Sequence, residues 1–340
     1  MKKTIKLNYS GVQNGFDIKQ NLIYDILVLN GYDVEISNEP EYLICDVFGE
    51  NPYEYCGTPQ VRIMYSGENI IPDFNLIDYS ICPYPIAFGD RNFHLPTCVW
   101  PRSHWIALPE KSRDYTMEFV KNKTFFANFI CSHESEYNIR GDFFKQLCQY
   151  RRVESPGSYL NNMPGGETVN WKDDSKTDFQ RKCKFTLCFE STLHEGFVTE
   201  KIMDAFYADT IPVYYGSSAA AQIFNRDAFI NVAEYDSFEA AIERIKELDQ
   251  DDEKYLAMLR QPILVDPEYP AKLESALNEY VCHIFDQPLE KAYRRSRVFH
   301  PKRCDDYLAS SVDGESLTAR NLLCRLAEKL LRKIGLGKKN

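Results

Sequence analysis

Nowhere in its 340 residues does the sequence hold an uninterrupted run of about 18 apolar residues, which excludes an ordinary membrane-spanning helix. The opening MKKTIKLNYS has two lysines but no apolar segment behind them, so no secretion signal is expected. CxxC pairs are also missing. The 11 cysteines are odd in number and scattered, a pattern that fits buried free thiols in a reduced compartment and points to the cytoplasm. No internal repeat or low-complexity tract is present. The acidic doublets Asp173/Asp174, Asp251/Asp252 and Asp305/Asp306 fall in polar loop or helix-start contexts, where solvated surface is the expectation, so no metal site is expected.

What is present suits a globular chain of two ordinary domains, with 44% hydrophobic residues. The formal charge of −10 is uneven. From Glu290 to Asn340 there are 13 Lys or Arg against 6 Asp or Glu, a net +7, so the first 289 residues carry −17. Nucleic-acid binding by the body is therefore not expected.

The first part alternates candidate strands and helices: Lys3 to Asn8, a helix around Asn21 to Asn30, Asp33 to Ile36, Tyr42 to Val47, Arg62 to Ser66 and Tyr79 to Cys82. This reads as one α/β domain. Residues 96 to 118, with Pro96, Pro101 and Pro109, look like a crossing between domains. A second α/β unit opens with a strand from Thr124 to Cys131, followed by a helix from Gly141 to Tyr150 and a turn-rich loop from Val153 to Gly166. The strand Phe229 to Val232 and helices Ser237 to Leu248 and Asp252 to Arg260 complete the scaffold.

The most informative stretch is KFTLCFESTLHEGFVTEKIMDAFYADTIPVYYGSS, Lys184 to Ser218. Residues 184 to 190 suit a buried strand, Thr199 is a plausible helix N-cap, Ile202, Met203 and Phe206 recur at helical spacing, and Ile211 to Tyr215 is a second strand. Such β-α-β spacing favours a parallel sheet whose ligand sits beyond the carboxyl ends of the strands, where Glu190, Glu200 and Lys201 fall. The pattern reads as a nucleotide-sugar site. Lys201 stands in the first helical turn, unfavourable for the macrodipole unless an anion shares the site, although an ion pair with Asp204 explains it equally well. Arg140 could reach a pyrophosphate with a bidentate fork, or be a surface loop arginine.

Glu200 suits the helix dipole and could also hold both hydroxyls of a ribose. Glu190 ends an apolar strand, where a carboxylate is solvated, paired or facing a cleft. His194 reads as a loop histidine. In the first domain Glu68 follows a strand through the turn Ser66-Gly67. A partly desolvated glutamate with a raised pKa suits removal of a sugar hydroxyl proton, and a solvated turn glutamate is the plain alternative. Tyr79, Tyr84, Phe88, Phe93, Trp100 and Trp105 are read chiefly as core, with sugar stacking the minority reading.

These motifs resemble the α-1,3-fucosyltransferases of glycosyltransferase family 10, in which a strand ending in FEN leads through a short loop to YVTEK and a helix. This chain reads FESTLHEGFVTEK, continues through TIPVYYGSS, and adds FANFICSHESEYNIR, VESPGSYLNNM and YSGEN, covering roughly residues 60 to 262 in order. The resemblance implies a GT-B fold, two Rossmann-like domains facing a cleft. Residues 1–118 would be the N-terminal acceptor-binding domain, 119–270 the C-terminal GDP-fucose-binding domain, and 271–340 a helical basic tail. It implies inverting transfer of L-fucose from GDP-fucose to the GlcNAc (or Glc) of an N-acetyllactosamine-type acceptor. In that reading Glu68 is the general base, Arg140 and Lys201 meet the phosphates, Glu200 holds the ribose and Glu190 lies near the fucose or the donor loop. Phe197 stands where relatives often have tyrosine and keeps an aromatic face without a hydroxyl. Ser191 replaces the asparagine of FEN.

No cofactor is expected beyond GDP-fucose as donor substrate, and a divalent ion would at most stimulate. Rival readings are another GT-B nucleotide-sugar transferase and a non-catalytic glycan-binding protein, the latter disfavoured because binding alone needs no base and two phosphate cations together. In the tail, Leu322, Leu323, Leu326, Leu330 and Ile334 line one helical face flanked by Arg325, Lys329, Arg332 and Lys333. This basic amphipathic pattern suits an anionic membrane surface, with docking on the acidic body or on a partner subunit as the rival. The expected location is cytoplasmic, peripheral on the inner face of the membrane; a homo-oligomer is left open.

Overall fold

The computed structural model describes residues 3–13, 15–48, 55–134, 138–170, 173–296 and 299–312, which build two parallel sheets. The first contains β1 (Thr4–Ser10), β2 (Asp33–Ile36), β3 (Tyr42–Cys45), β4 (Val61–Tyr65), β5 (Tyr79–Cys82) and β6 (Asn92–His94), in the order β2-β1-β3-β4-β5-β6. The second contains β7 (Phe125–Asn128), β8 (Val153–Glu154), β9 (Cys183–Phe189), β10 (Ile211–Tyr215) and β11 (Ile230–Asn231), in the order β11-β10-β9-β7-β8. Every paired strand is parallel.

The strand sequences explain this. All seven residues of β9 and all four of β3 and of β5 are buried. Continuous burial without alternation is what a sheet covered on both faces requires. In each sheet the first strand lies inside and the chain winds first one way, then the other. The reversal falls between β1 and β3 in one half and between β7 and β9 in the other, and such a reversal opens a crevice at the carboxyl ends of the strands. The two crevices position the candidate site.

The helices are α1 (Leu22–Leu29), α2 (Arg102–Ala107), α3 (Met117–Lys121), α4 (Ile139–Tyr150), α5 (Ser175–Arg181), α6 (Glu200–Tyr207), α7 (Ala220–Ile223), α8 (Phe238–Gln250), α9 (Asp252–Leu259), α10 (Tyr269–Asp286), α11 (Leu289–Ala292) and α12 (Phe299–Val312). Asn21, Thr116, Ser237 and Asp251 cap α1, α3, α8 and α9 by accepting a backbone N–H three residues on, which fixes those starts. The crossing at residues 96 to 118 carries a short helical turn and α2, and Trp105, 1% exposed, packs edge-on against Phe224 and Tyr269.

The segment read as the start of a tail behaves otherwise: α10, α11 and α12 return to the first sheet. The Tyr32 hydroxyl donates to Asp286 Oδ1 at 2.5 Å and the Tyr280 hydroxyl to the Ser80 carbonyl at 3.3 Å. Fully buried Asp78 accepts the backbone N–H groups of Arg62, Arg294 and Arg295, each at 2.8 Å, and Arg295 Nε at 3.0 Å. Arg62, fully buried, forks onto Asp305 Oδ1 and Oδ2 at 2.7 and 3.0 Å. Of the basic residues at the start of this segment, Arg295 therefore neutralises the buried carboxylate of Asp78 while Arg294 pairs with the exposed Asp90, and Asp305 of the third acidic doublet is the ion-pair partner of Arg62 instead of solvated surface. The amphipathic stretch from Leu322 to Ile334 lies outside the described residues.

Candidate active site

Glu190 leaves the end of β9 and is buried, with its side chain closed to solvent. A lone carboxylate there would cost several kcal/mol in lost hydration. Three donors offset that cost: the Thr199 N–H at 2.7 Å on Oε1, the Thr199 hydroxyl at 2.8 Å and Lys201 Nζ at 3.2 Å on Oε2. Thr199 is the N-cap of α6, as its sequence position suggests, yet its hydroxyl turns back to Glu190 and makes no cap hydrogen bond. Glu190 thus fastens the start of α6 to the end of β9. It supports Lys201 from beneath instead of standing open to the cleft.

Lys201 Nζ also donates to Thr199 Oγ1 at 2.8 Å and lies 3.7 Å from Glu200 Oε1, with a quarter of its side chain exposed. Burial alone would lower its pKa, but Glu190 and Glu200 push it well above the usual lysine range. Burial likewise opposes ionisation of Glu200, but Lys201 and Lys176 overcome it and hold the carboxyl at about 2. Both groups are therefore charged at neutral pH. The alternative partner for Lys201, Asp204, is taken: its Oδ2 receives Lys176 Nζ at 2.6 Å.

Arg140 lies in the first turn of α4 and is 6% exposed, not a surface loop arginine. Its Nε donates to the carbonyl of Phe189, the last residue of β9, at 3.1 Å, and its Nη1 donates to the His133 carbonyl at 3.1 Å and to Cys131 Sγ at 3.3 Å. The arginine is thus locked to the rim of the β7/β9 crevice, and its positive charge is felt by Lys201. Two fixed cations at one crevice suit a diphosphate. The turn-rich loop closes in behind them: a side-chain carbon on Gly157 would sit 2.3 Å from the Cys131 carbonyl oxygen, so only glycine admits this approach.

Between β9 and α6, Gly196 adopts φ +84, and a Cβ there would meet the Pro83 carbonyl at 2.6 Å and Pro85 Cδ at 2.5 Å. The loop is clamped to the first half by the Cys98 N–H, which donates to the Val198 carbonyl at 2.8 Å. Phe197 in this loop is buried, 5% exposed.

Glu68 is brought to the crevice of the first sheet. It is exposed just past β4, and its N–H donates to Ser66 Oγ at 3.3 Å. The cleft it lines has a volume of about 650 Å³ and includes Phe16, Asp46, Phe48, Tyr65, Thr97 and Trp100. Sequence reasoning missed Asp46. It follows β3 beside the β1/β3 reversal, and burial raises its pKa to about 6, with the Glu68 charge adding to the shift and the Ser66 hydroxyl opposing it. The available signal was an acid directly after the apolar run YLIC. Of the aromatic cluster, Tyr79 and Trp105 are core, Phe93 packs against Tyr280 and only Trp100 lines this cleft. Among the described residues no group of three or more His, Cys, Asp or Glu side chains is gathered as metal ligands, and no helix is long and apolar enough to cross a membrane.

Comparison with known proteins gives this arrangement a context. Residues 7–100 match the N-terminal domain of alpha-(1,3)-fucosyltransferase FucT. The alpha-(1,3)-fucosyltransferase FucT of Helicobacter pylori is 31% identical over 289 residues, covering 74% of this chain and 58% of the relative. The human 4-galactosyl-N-acetylglucosaminide 3-alpha-L-fucosyltransferase 9 is 29% identical over 140 residues, covering 41% of this chain and 37% of that one. The chain thus spans about three-fifths or less of these relatives' lengths. A crystal structure of an alpha1,3-fucosyltransferase superposes with a TM-score of 0.64 at 25% identity, covering 81% of this chain and 90% of that one. One crystallised with GDP-fucose gives 0.61 at 27%, covering 82% and 91%. A DNA-modifying beta-glucosyltransferase, 10% identical with a TM-score of 0.50, shares the fold alone. Residues 120–298, which carry Arg140, Glu190, Glu200 and Lys201, match the C-terminal model of glycosyltransferase family 10 (fucosyltransferase), and the chain belongs to that family.

Proposed function

We propose that this chain is an inverting α-1,3-fucosyltransferase that moves L-fucose from GDP-fucose to the GlcNAc (or Glc) of an N-acetyllactosamine-type glycan, building Lewis-type structures. The observation that carries the reading is Lys201, held charged between Glu190 and Glu200 beside the buried Arg140 at the β7/β9 crevice. Donor and acceptor class are supported by the names and bound ligand of the relatives: GDP-fucose in one solved structure, and a 4-galactosyl-N-acetylglucosaminide acceptor with 3-alpha-L-fucosyl transfer in the human protein's name.

In this mechanism the acceptor hydroxyl oxygen forms the new bond to the fucose anomeric carbon while the bond from that carbon to the phosphate oxygen breaks. The departing GDP keeps the electron pair, and its developing charge meets Arg140 and Lys201. The acceptor proton passes to Glu68, for which an exposed carboxylate in the first-sheet cleft is suitably placed. Glu200, ionised at neutral pH, accepts the ribose hydroxyls. Fixed cations supply the charge compensation, so a divalent ion would at most stimulate.

The test is GDP release from GDP-fucose by the purified protein in EDTA, with and without N-acetyllactosamine. Acceptor-dependent release supports metal-independent fucosyl transfer. Release with a different nucleotide sugar, or glycan binding without release, points to the two rival readings. The basic stretch from Leu322 to Ile334 is proposed to rest on an anionic membrane from the cytoplasmic side, and co-sedimentation with phosphatidylserine vesicles at low but not high salt tests that.

A further inference from the structure

His194 has no part in the mechanism above, yet it reaches from the second half of the molecule to the residue beside the proposed base. Its Nδ1 lies 3.0 Å from the Tyr84 hydroxyl and 3.2 Å from Asn69 Oδ1, and its ring tilts over that of Tyr84 with centroids 5.9 Å apart. The Tyr84 hydroxyl itself donates to Asn69 Oδ1. The three side chains thus meet in one polar cluster, in which an Nδ1–H of His194 is within donating distance of Asn69 Oδ1.

The other side of Glu68 is tied to the same loop. The Thr97 hydroxyl donates to the Gly67 carbonyl at 2.9 Å, and the next residue, Cys98, donates its N–H to Val198. Between these two ties, Gly196 is pressed against Pro83 and Pro85. The turn Gly67-Glu68-Asn69 is therefore gripped on both flanks by groups bonded to the loop from Ser191 to Val198, the same loop that leads into Thr199 and into Lys201, assigned above to the donor side.

We propose that His194 is a positioning residue: through Asn69 and Tyr84 it couples the donor loop to the turn bearing Glu68, so that occupancy of the GDP site sets the base against the acceptor. This rests on the fucosyl-transfer reading for its kinetic consequence, but not for its structural one. Misplacing a catalytic group by about 1 Å can cost on the order of a hundredfold in rate, so a lost tether is visible in turnover and not in donor affinity.

In the full chain, His194→Ala is expected to lower kcat at least about tenfold while the KM for GDP-fucose stays within about twofold. His194→Asn, whose amide nitrogen falls where Nδ1 sits, is expected to recover most of the loss. Tyr84→Phe is expected to give a similar loss, and the double variant His194→Ala/Tyr84→Phe less than the product of the two. A role in stability alone would lower the melting temperature without this split between kcat and KM or the asparagine rescue.

The second measurement is hydrogen exchange at residues 66–70, where the Ile70 N–H donates to the Glu68 carbonyl at 2.8 Å. Added GDP is expected to slow exchange there in the wild-type protein and not in His194→Ala. Equal kcat and equal protection in both proteins would overturn the coupling. GDP-dependent protection that His194→Ala abolishes, in a protein that transfers no fucose, would uphold the coupling and overturn the fucosyl-transfer reading, so the two failures are separable.

Discussion

At the scale of single residues, the site rests on charges whose states are set by their neighbours. Lys201 is the clearest case, and Lys201→Ala is expected to lower kcat/KM by about 10²–10³, the usual effect of deleting one preorganised electrostatic contact to a transition state. The same change removes one of three donors from buried Glu190, so a fall in melting temperature should accompany it. Glu68→Gln separates the two halves of the chemistry: turnover is expected to drop by about 10²–10⁴ while GDP affinity, read by calorimetry, stays unchanged. Asp46 bears on pH. Its carboxyl binds a proton more tightly in the folded protein than in the unfolded chain, so the folded state is favoured where that proton is held and loses stability as pH rises from about 4 through about 6. Asp46→Asn should therefore raise the melting temperature at pH 7.5 more than at pH 4.5. Replacement that stabilises a cleft residue is a common mark of a group kept for function.

At the scale of elements, the loop from Ser191 to Val198 is where small changes have large effects. Gly196→Ala would need both a strained positive φ and room that Pro83 and Pro85 occupy, and the expected result is displacement of the loop, with weaker GDP binding by calorimetry and a lower melting temperature. How much of this was legible beforehand differs by element. The strands Asp33–Ile36, Tyr79–Cys82 and Ile211–Tyr215 follow from the sequence without adjustment, the first from its polar-apolar alternation and the other two as short, largely apolar runs. Thr199 at the start of α6 was legible from its residue type, but the Glu190 contact that captures its hydroxyl was not, since it joins residues nine positions apart through a fold that local patterning does not specify. The motif around Lys184 to Ser218 located Glu190, Glu200 and Lys201 together. Asp46 and His194 stayed out of view for different reasons: the acid fell unremarked within the candidate strand Tyr42 to Val47, which in the structure ends at Cys45, and the histidine gains meaning only from Asn69 and Tyr84 in the other half of the chain.

At the scale of the whole molecule, the return of α10, α11 and α12 to the first sheet matters most for stability. Asp78 gathers three backbone N–H groups and the Arg295 guanidinium in the interior, and Asp78→Ala would leave that cation and those amides buried without their acceptor. The expected cost is about 3–5 kcal/mol, measurable by urea unfolding, and comparable to the whole stability margin of many domains. The same return path has a consequence for synthesis. A chain leaving the ribosome from its N-terminus presents β1 to β6 long before Arg295 and Asp305 exist, so the half made first is completed last, while the second half, contiguous from about Phe125 to Leu259, can close first. Nascent chains arrested before about residue 290 are accordingly expected to show a protease-resistant second half and a digestible first half, the reverse of the order in which they were made.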